Sequence, residues 1–317
     1  MNADFSNIVN FSLKQFYPNI EKIEQNTQNV AFFNFVKNAQ FDKTLPLCGI
    51  SLLNAGSMRF RWNETNPNRE NFFSNCGIDK KNVVPVELIH SKKVCAISSN
   101  NLNFPPKIEN LSEHIILPQS QNKNSPNFEI TRFSKTSGVI ADGVICQNRS
   151  LVPCVTVADC MPLYLFNPVL GVAGVVHSGW KGTGIVAEAI KLAKVLYNAR
   201  VEDFCVVIGP CIGECCYNVD ENRAKYFSSN FGSGCVTKSQ NPKNSNFPFQ
   251  LSLRKANLFL LQKIGVKAEN IAVCSDCTSC SNFLGSHRRE TKNLAENIDL
   301  ETRLKSFTPM VAFLKQE

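Results

Sequence analysis

The sequence lacks any apolar run long enough to cross a bilayer; the longest candidates, such as residues 171–176, are only strand-sized. It also lacks a basic N-terminal segment followed by an uninterrupted apolar stretch, which a secretory signal would need. We therefore expect a cytoplasmic protein without a membrane partner. In a reducing compartment, its 14 cysteines are expected to be free thiols or metal ligands rather than disulfides.

Blocks of like charge are missing too. The net charge of +8 comes from 34 Lys and Arg against 26 Asp and Glu, and the basic residues are scattered. The tightest groups are pairs such as Lys80-Lys81 and Arg288-Arg289. This pattern indicates a mildly basic surface and no nucleic-acid partner, while small anionic ligands remain compatible with it.

Histidine is scarce. The chain has only four, His90, His114, His177 and His287, which cannot supply the several copper sites of a multicopper oxidase. None of the four is followed by Glu two residues later, so the H-x-E motif of classical zinc deaminases is absent. His114 lies in a polar stretch and is expected at the surface.

Cysteine is plentiful, but its spacing matches no familiar cluster motif. Cys274, Cys277 and Cys280 have the spacing of a bacterial iron–sulfur run, yet the next ligand would fall at Leu284, so the pattern fails. Three further cysteines lie in a turn after residues 205–208 and are interpreted as structural: Cys211, Cys215 and Cys216.

Short apolar runs alternate unevenly with few helical patterns, which favours a single α+β layered domain over a regular βαβ wind. Strands are predicted at residues 152–157, 163–166, 172–176, 205–208 and 271–273. Helices are predicted from a cap at Thr183 to about Asn198, and over residues 253–264. Residues 1–30 are interpreted as an N-terminal extension and residues 31–317 as the domain, with polar insertions near 98–127 and 232–246.

Three potential metal ligands follow or end strand-like runs. His90 follows residues 83–89, and Cys160 and His177 each come at the end of a predicted strand. Side chains at strand ends can converge, and an imidazole–thiolate–imidazole set suits zinc with an open fourth position. The spacing alone leaves an alternative open, in which Cys160 is a buried apolar thiol and the histidines bond to backbone.

Several segments resemble the laccase-domain family, also known as the purine nucleoside phosphorylase or polyphenol oxidase-like family, whose bacterial members are called peptidoglycan editing factors. The matching segments are ADG (141–143), TVADCMP (156–162), GVVHSGWKGT (174–183), IGPCIGECCY (208–217) and CTSC (277–280). The resemblance implies a mixed α/β/β/α domain. It also implies that His90, Cys160 and His177 are the metal ligands, with zinc as the metal and copper as a second possibility.

The chain departs from the family pattern at two places. Leu88 stands where the family often has Gln, two residues before the first ligand. In the C-terminal motif His287 replaces a Tyr and the following Asp-Gly turn is missing, whereas Arg288 and Arg289 are retained. These departures bear on substrate preference more than on the metal site.

The resemblance implies phosphorolysis of purine nucleosides (adenosine, inosine, methylthioadenosine) to free base and ribose 1-phosphate, with adenosine deamination as a side activity. Purine nucleosides and phosphate are thus the expected partners, and the oligomeric state is left open. We predict that Lys181 and Arg288 hold phosphate and that His287 is an acid/base group. Asp142 and Asp159 are interpreted as orienters of the ligand histidines or as turn residues.

Other functions remain open at this stage. One is an amidase that edits peptidoglycan precursors, and another is a non-catalytic metal-binding module whose fourth ligand is Cys215 or His287. A third is a hydrolase in which His177 activates Cys160 as a nucleophile.

Overall fold

The computed structural model describes residues 6–22, 28–36, 45–98, 114–118, 139–240, 246–295 and 297–316. Most of the polar insertion predicted at residues 98–127 lies outside these ranges. Within them, no helix combines the length and the apolar character that a membrane span requires.

The described residues form strands and helices in the following positions. The strands are β1 Val9–Phe11, β2 Val30–Asn34, β3 Leu47–Ser51, β4 Val83–Val84, β5 Val94–Ser98, β6 Ile115–Pro118, β7 Gly143–Cys146, β8 Val152–Val157, β9 Met161–Asn167, β10 Val172–Ser178, β11 Cys205–Ile208, β12 Asn218–Val219, β13 Val236–Lys238, β14 Phe249–Leu251, β15 Ile271–Cys274 and β16 Met310–Lys315. The α-helices are α1 Leu13–Phe16, α2 Pro67–Asn75, α3 Ile185–Tyr197, α4 Glu221–Phe231, α5 Leu253–Ile264, α6 His287–Glu290 and α7 Leu300–Lys305.

Two large mixed sheets dominate the fold. Eight strands form one sheet in the order β1-β15-β11-β9-β10-β7-β5-β6, and five form the other in the order β2-β3-β16-β8-β4. A small sheet has the order β12-β14-β13. Parallel pairs such as β11 with β15 occur beside antiparallel pairs such as β9 with β10.

The two large sheets pack face to face, and helices cover their outer faces. Between the sheets, the rings of Phe33 and Tyr164 meet edge to face at 5.3 Å. Helices α3 and α5 bury residues such as Ile190 and Leu261 in the core on the far side of the eight-stranded sheet. On the far side of the five-stranded sheet, α2 contributes Phe72 to a third core. The predicted α/β/β/α architecture is confirmed.

Several predicted elements are confirmed almost to the residue, because their apolar patterns are buried as expected. Strand β8 and helix α5 have the predicted bounds. Helix α3 ends as predicted at Asn198, which adopts the left-handed conformation with a φ of 54°. Its predicted cap is wrong: Gly184 occupies that position, with a φ of 105°, and the Thr183 hydroxyl donates to the carbonyl of Gly179 instead.

Within residues 1–30, which the sequence suggested to be an N-terminal extension, β1 belongs to the eight-stranded sheet. Strand β1 pairs in parallel with β15 at the edge of the eight-stranded sheet. Just beyond it, the Ser12 hydroxyl and the Leu13 backbone N–H each donate to the carboxylate of Asp276 over 2.7 Å. This pairing joins residues far apart in sequence, for which the local pattern gives no signal.

In the predicted polar insertion at 232–246, strand β13 pairs with β14 and Cys235 is buried. The expectation that His114 lies at the surface is wrong. The His114 side chain is 5% exposed instead of lying at the surface. Its Nε2 lies 3.7 Å from a carboxylate oxygen of Glu188 on α3, and its Nδ1 accepts a hydrogen bond from the backbone N–H of Val94.

Candidate metal centre and substrate cavity

The structure brings His90, Cys160 and His177 together. His90 lies in the loop before β5, Cys160 in the turn between β8 and β9, and His177 near the end of β10. One potential ligand atom from each lies within 4.8 Å of the others. The two imidazole rings meet edge to face, with centroids 4.9 Å apart.

The backbone around this centre is held in an unfavourable conformation. His90 has a φ of 60° and Asp159, beside Cys160, a φ of 75°. Such conformations cost non-glycine residues about 1–3 kcal/mol and persist only where surrounding contacts enforce them. For the His90 loop, the enforcing contact is the buried carboxylate of Asp142. It accepts hydrogen bonds from the backbone N–H groups of Ile89 (3.2 Å), His90 (2.8 Å) and Ser91 (2.6 Å).

Asp142 also contacts the second histidine. Its Oδ1 lies 3.4 Å from His177 Nδ1, without the alignment of a regular hydrogen bond. The backbone N–H of His177 donates to the Asp142 carbonyl over 2.7 Å. With Nδ1 facing Asp142, Nε2 is the potential ligand atom of His177.

The electrostatics of the centre favour an ionised thiol. Burial raises the pKa of Cys160, but the neighbouring His177 and His90 lower it to about 6. Burial lowers the pKa of His177, but Cys160 and Asp142 raise it to about 10. Burial raises the pKa of Asp142, but the neighbouring His177 and the hydrogen bonds from Ser91 outweigh this and lower it. Without metal, the centre therefore pairs a thiolate with an imidazolium at neutral pH.

Asp159 anchors the turn that carries Cys160 to the C-terminal part of the chain. Its Oδ1 accepts hydrogen bonds from the hydroxyls of Thr278 (2.6 Å) and Ser286 (2.7 Å), and its Oδ2 accepts one from the backbone N–H of Arg288. Asp142 thus fits the predicted role of orienting the histidines, whereas Asp159 connects the Cys160 turn to the segment around α6.

The three potential ligands line one cavity of about 400 Å³. This is within the usual size of a small-molecule site. Besides His90, Cys160 and His177, the lining residues are Arg59, Phe60, Arg61, Leu88, Thr156, Val157, Ala158, Asp159, Trp180, Ile212, Tyr217, Leu253, His287, Arg288, Leu304, Phe307 and Pro309. The cavity combines arginines with aromatic and aliphatic side chains.

Two of the three predicted catalytic residues line the cavity. The His287 ring packs against Phe307, with centroids 4.9 Å apart. Its pKa is lowered by burial and by Arg288, against an opposing effect of Asp159, so the imidazole is neutral at neutral pH. The exposed Arg288 guanidinium lies over the Tyr217 ring at 5.9 Å. Lys181 is exposed, 5.4 Å from the Trp180 ring centroid, and is not among the lining residues.

Arg289 differs from its neighbour because its guanidinium points into the structure. It donates to the carbonyls of Thr278 (2.8 Å), Ser281 and Leu284, and it pairs with Glu290 at 3.0 Å. These contacts are structural.

Sequence reasoning missed two arginines of the cavity. Arg59 and Arg61 both line it, each paired with a carboxylate: Arg59 with Glu64 at 3.0 Å and Arg61 with Glu87 at 2.6 Å. The sequence feature that could have identified them is the alternation of basic and aromatic residues in the segment RFRW (59–62). Such an alternation places the arginines on one side of an extended segment.

The residues of the centre fit a divalent metal. A thiolate and two imidazoles are donors that zinc and copper accept, and the ligand atoms face a cavity that leaves room for a further ligand. Leu88, where the family often has Gln, also lines the cavity and contributes an apolar side chain beside His90.

Residues 61–298 match the family model described as multi-copper polyphenol oxidoreductase laccase. The chain belongs to this laccase family. Its four histidines nevertheless exclude the several copper sites that the description suggests.

Relatives of this laccase-family chain include purine nucleoside phosphorylase LACC1 of Mus musculus, 34% identical over 165 residues, and purine nucleoside phosphorylase YlmD of Geobacillus stearothermophilus, 34% identical over 154 residues. These matches cover 50% and 47% of the chain, but only 37% and 55% of the two relatives. A third, adenosine deaminase RL5 from an unknown prokaryote, is 29% identical over 151 residues, which are 46% of the chain and 56% of the relative. The chain thus spans about half or less of the length of these relatives.

The fold of the laccase-family chain also matches a solved structure. The crystal structure of YlmD from Geobacillus stearothermophilus superimposes with a TM-score of 0.65 at 21% identity, covering 92% of the chain and 98% of YlmD. At this identity the likeness concerns the fold.

Proposed function

We propose that the protein is a zinc-dependent purine nucleoside phosphorylase. The observation that carries the proposal is the composition of one cavity: a thiolate and two imidazoles on one side, and the exposed Arg288 with His287 on another. LACC1 and YlmD, both named purine nucleoside phosphorylases, point to the same chemistry. The divalent ion, held by His90, Cys160 and His177, would supply a Lewis acid at the open side of the centre.

The cavity contains suitable side chains for both substrates, the phosphate and the purine nucleoside. Phosphate is an anion with several hydrogen-bond acceptor oxygens. The guanidinium of Arg288 is the best candidate to bind phosphate, because no carboxylate among the described residues pairs with Arg288. The purine and ribose fit the aromatic and aliphatic walls formed by Phe60, Tyr217 and Phe307.

The reaction needs a proton for the departing base. A phosphate oxygen bonds to the ribose C1′ while the C1′–N9 bond breaks and its electron pair leaves with the purine. A proton must then reach a purine nitrogen. His287 is our candidate for positioning that proton, because a neutral imidazole can donate one hydrogen bond and accept another.

The test is phosphate-dependent release of hypoxanthine from inosine by the purified, zinc-loaded chain. We expect turnover that requires phosphate and falls at least about 100-fold in Cys160→Ala and His177→Ala. Arg288→Ala is expected to raise the KM for phosphate, whereas Arg149→Ala, at an exposed arginine outside the cavity lining, serves as the matched control. Lys181→Ala tests the remaining predicted phosphate ligand. Bound zinc with no nucleoside turnover would reject the proposal and leave the amidase as the next candidate.

A second activity, adenosine deamination, is favoured by the relationship to adenosine deaminase RL5. It uses water in place of phosphate and gives inosine and ammonia. Incubation of the same chain with adenosine in phosphate-free buffer distinguishes the two, since deamination continues without phosphate and phosphorolysis stops.

A further inference from the structure

A second cluster of potential metal ligands lies outside the residues that line the cavity. It consists of Cys215, Cys216, Cys277 and Cys280, whose Sγ atoms all lie within 4.8 Å of one another. The separations are 3.9 Å between Cys215 and Cys216, 3.7 Å between Cys215 and Cys280, and 3.4 Å between Cys216 and Cys280. We call these residues the four-cysteine cluster.

We propose that the four-cysteine cluster is a structural zinc site, separate from the metal centre in the cavity. Four thiolates about 2.3 Å from a zinc ion stand about 3.8 Å from one another at the corners of a tetrahedron. Three of the six separations, 3.4, 3.7 and 3.9 Å, scatter around that value, and all six are within 4.8 Å. Four protein ligands close the coordination sphere, which is typical of structural and not of catalytic zinc.

The surroundings of the cluster suit bound thiolates. The backbone N–H of Gly213 donates to Cys277 Sγ over 3.1 Å, a contact that stabilises a negatively charged sulfur. Four thiolates around Zn²⁺ carry a net charge of −2, and the guanidinium of Arg254 lies close by. It donates to the carbonyls of Cys211 and Asp276, which flank the cluster in sequence.

The cluster connects two segments that build the cavity. Cys215 and Cys216 belong to the turn after β11, which carries the lining residues Ile212 and Tyr217. Cys277 and Cys280 follow β15, and Thr278 between them donates to Asp159, the neighbour of Cys160. Cys211 and Cys277 also pair through an isolated parallel β-bridge. Bound zinc would hold these two segments, which contribute to one wall of the cavity, in fixed positions.

A disulfide explains the geometry less well. It would join two of the four sulfurs and leave the other two as neighbouring thiols, although all four converge on a common point. The sequence gives a further reason, since the pairs CC (215–216) and C-x-x-C (277–280) supply two ligands from each segment. The C-x-x-C pair has the usual ligand spacing of a structural zinc site, and the adjacent pair adds two ligands from the second segment.

The experiment measures metal stoichiometry in the full-length chain. We expect about two zinc ions per chain, about one in Cys160→Ala and about one in Cys280→Ser, since each substitution removes a ligand of a different site. Cys280 is exposed, so its replacement leaves the core intact. Cys76→Ser, at a half-buried cysteine on the opposite side of the fold, is the matched control and keeps both ions. A Cys160→Ala protein that binds no zinc overturns the proposal.

X-ray absorption at the zinc edge of the Cys160→Ala protein provides a readout independent of activity. Four sulfur ligands at about 2.3 Å are the expected shell. If a thiol titration of the denatured, metal-free protein finds two thiols fewer than the sequence contains, a disulfide is present and the proposed zinc site is wrong. Visible absorption with bound iron would overturn the zinc assignment. Because none of these readouts involves nucleosides, their failure is distinguishable from failure of the proposed function.

Discussion

The carboxylate of Asp142 accepts a 2.8 Å hydrogen bond from the backbone N–H of His90. The same carboxylate faces His177 Nδ1 at 3.4 Å. A single buried side chain therefore holds the loop of one histidine and faces the ring of the other. Contacts behind metal ligands typically change metal affinity 10- to 100-fold when they are removed.

The substitution Asp142→Asn tests this relationship. An amide has the volume of the carboxylate but places N–H donors against the donors of Ile89 and Ser91. We expect zinc affinity at the centre to fall 10- to 100-fold, with stability lower by about 1–3 kcal/mol. Competition with a chromophoric chelator and thermal unfolding measure the two effects. Asp79→Asn, at an exposed helix cap, is the control, and an unchanged affinity in Asp142→Asn would contradict the role of Asp142.

Gly179 is required because of Cys160. A Cβ at this position would lie 2.7 Å from Cys160 Sγ. We expect Gly179→Ala to displace the thiolate and to lower zinc occupancy of the centre at least about tenfold. Gly234→Ala is a matched control, since a Cβ there meets no atom within 4 Å. Metal analysis after dialysis against a weak chelator compares the two, and full occupancy in Gly179→Ala would show that the sulfur has room to move.

Alkylation of Cys160 reports its ionisation. Its lowered pKa means that the thiolate forms as pH rises through about 6 in the metal-free protein. The rate of reaction with iodoacetamide should therefore rise between roughly pH 5 and pH 7 and then level off, because only the thiolate reacts. Cys76, whose pKa burial raises to about 11, should still be gaining reactivity at pH 9. Peptide mass spectrometry follows both sites, and zinc should suppress the reaction of Cys160. A midpoint near the usual thiol value would contradict the thiolate–imidazolium pair.

Substitution of Arg288 should affect phosphate binding, whereas substitution of its neighbour Arg289 should affect stability. Arg288→Ala takes an exposed guanidinium from the cavity, so we expect the KM for phosphate to rise about 10- to 100-fold, equivalent to the loss of a charge-assisted hydrogen bond. Stability should hardly change. Arg289→Ala removes donors to the carbonyls of Thr278 and Leu284, and we expect a loss of about 2 kcal/mol or more in the free energy of unfolding. Steady-state kinetics and denaturant unfolding separate the two, and a reversed pattern would contradict this assignment.

Local patterns predicted much of the fold. Strand β8 and helix α5 were correct at both ends, because burial on both faces of a strand or on one face of a helix leaves a direct apolar signature. The pairing of β1 with β15 was missed, since it joins Val9 to Ala272 and no local pattern encodes such a contact. The same holds for His114, whose polar sequence neighbours gave no sign of its contact with Glu188.

At the site, the three potential metal ligands were identified by residue type and family resemblance, and the structure brings them together. The four-cysteine cluster was not foreseen. Its cysteines were interpreted separately because Cys216 and Cys280 are distant in sequence, and only the fold shows that their sulfurs lie 3.4 Å apart. Arg59 and Arg61 were missed although the alternation RFRW (59–62) marked them, because only the fold shows that this segment borders the cavity.

Strand β16 (Met310–Lys315) lies in the interior of the five-stranded sheet, hydrogen-bonded to β3 on one side and to β8 on the other. Residues 47–51 and 152–157 therefore have no common partner until residue 315 has left the ribosome. Contacts this far apart in sequence slow folding, because a long loop must close before they form. Until β16 is available, the facing edges of β3 and β8 stay unpaired, and unpaired strand edges favour association with other chains.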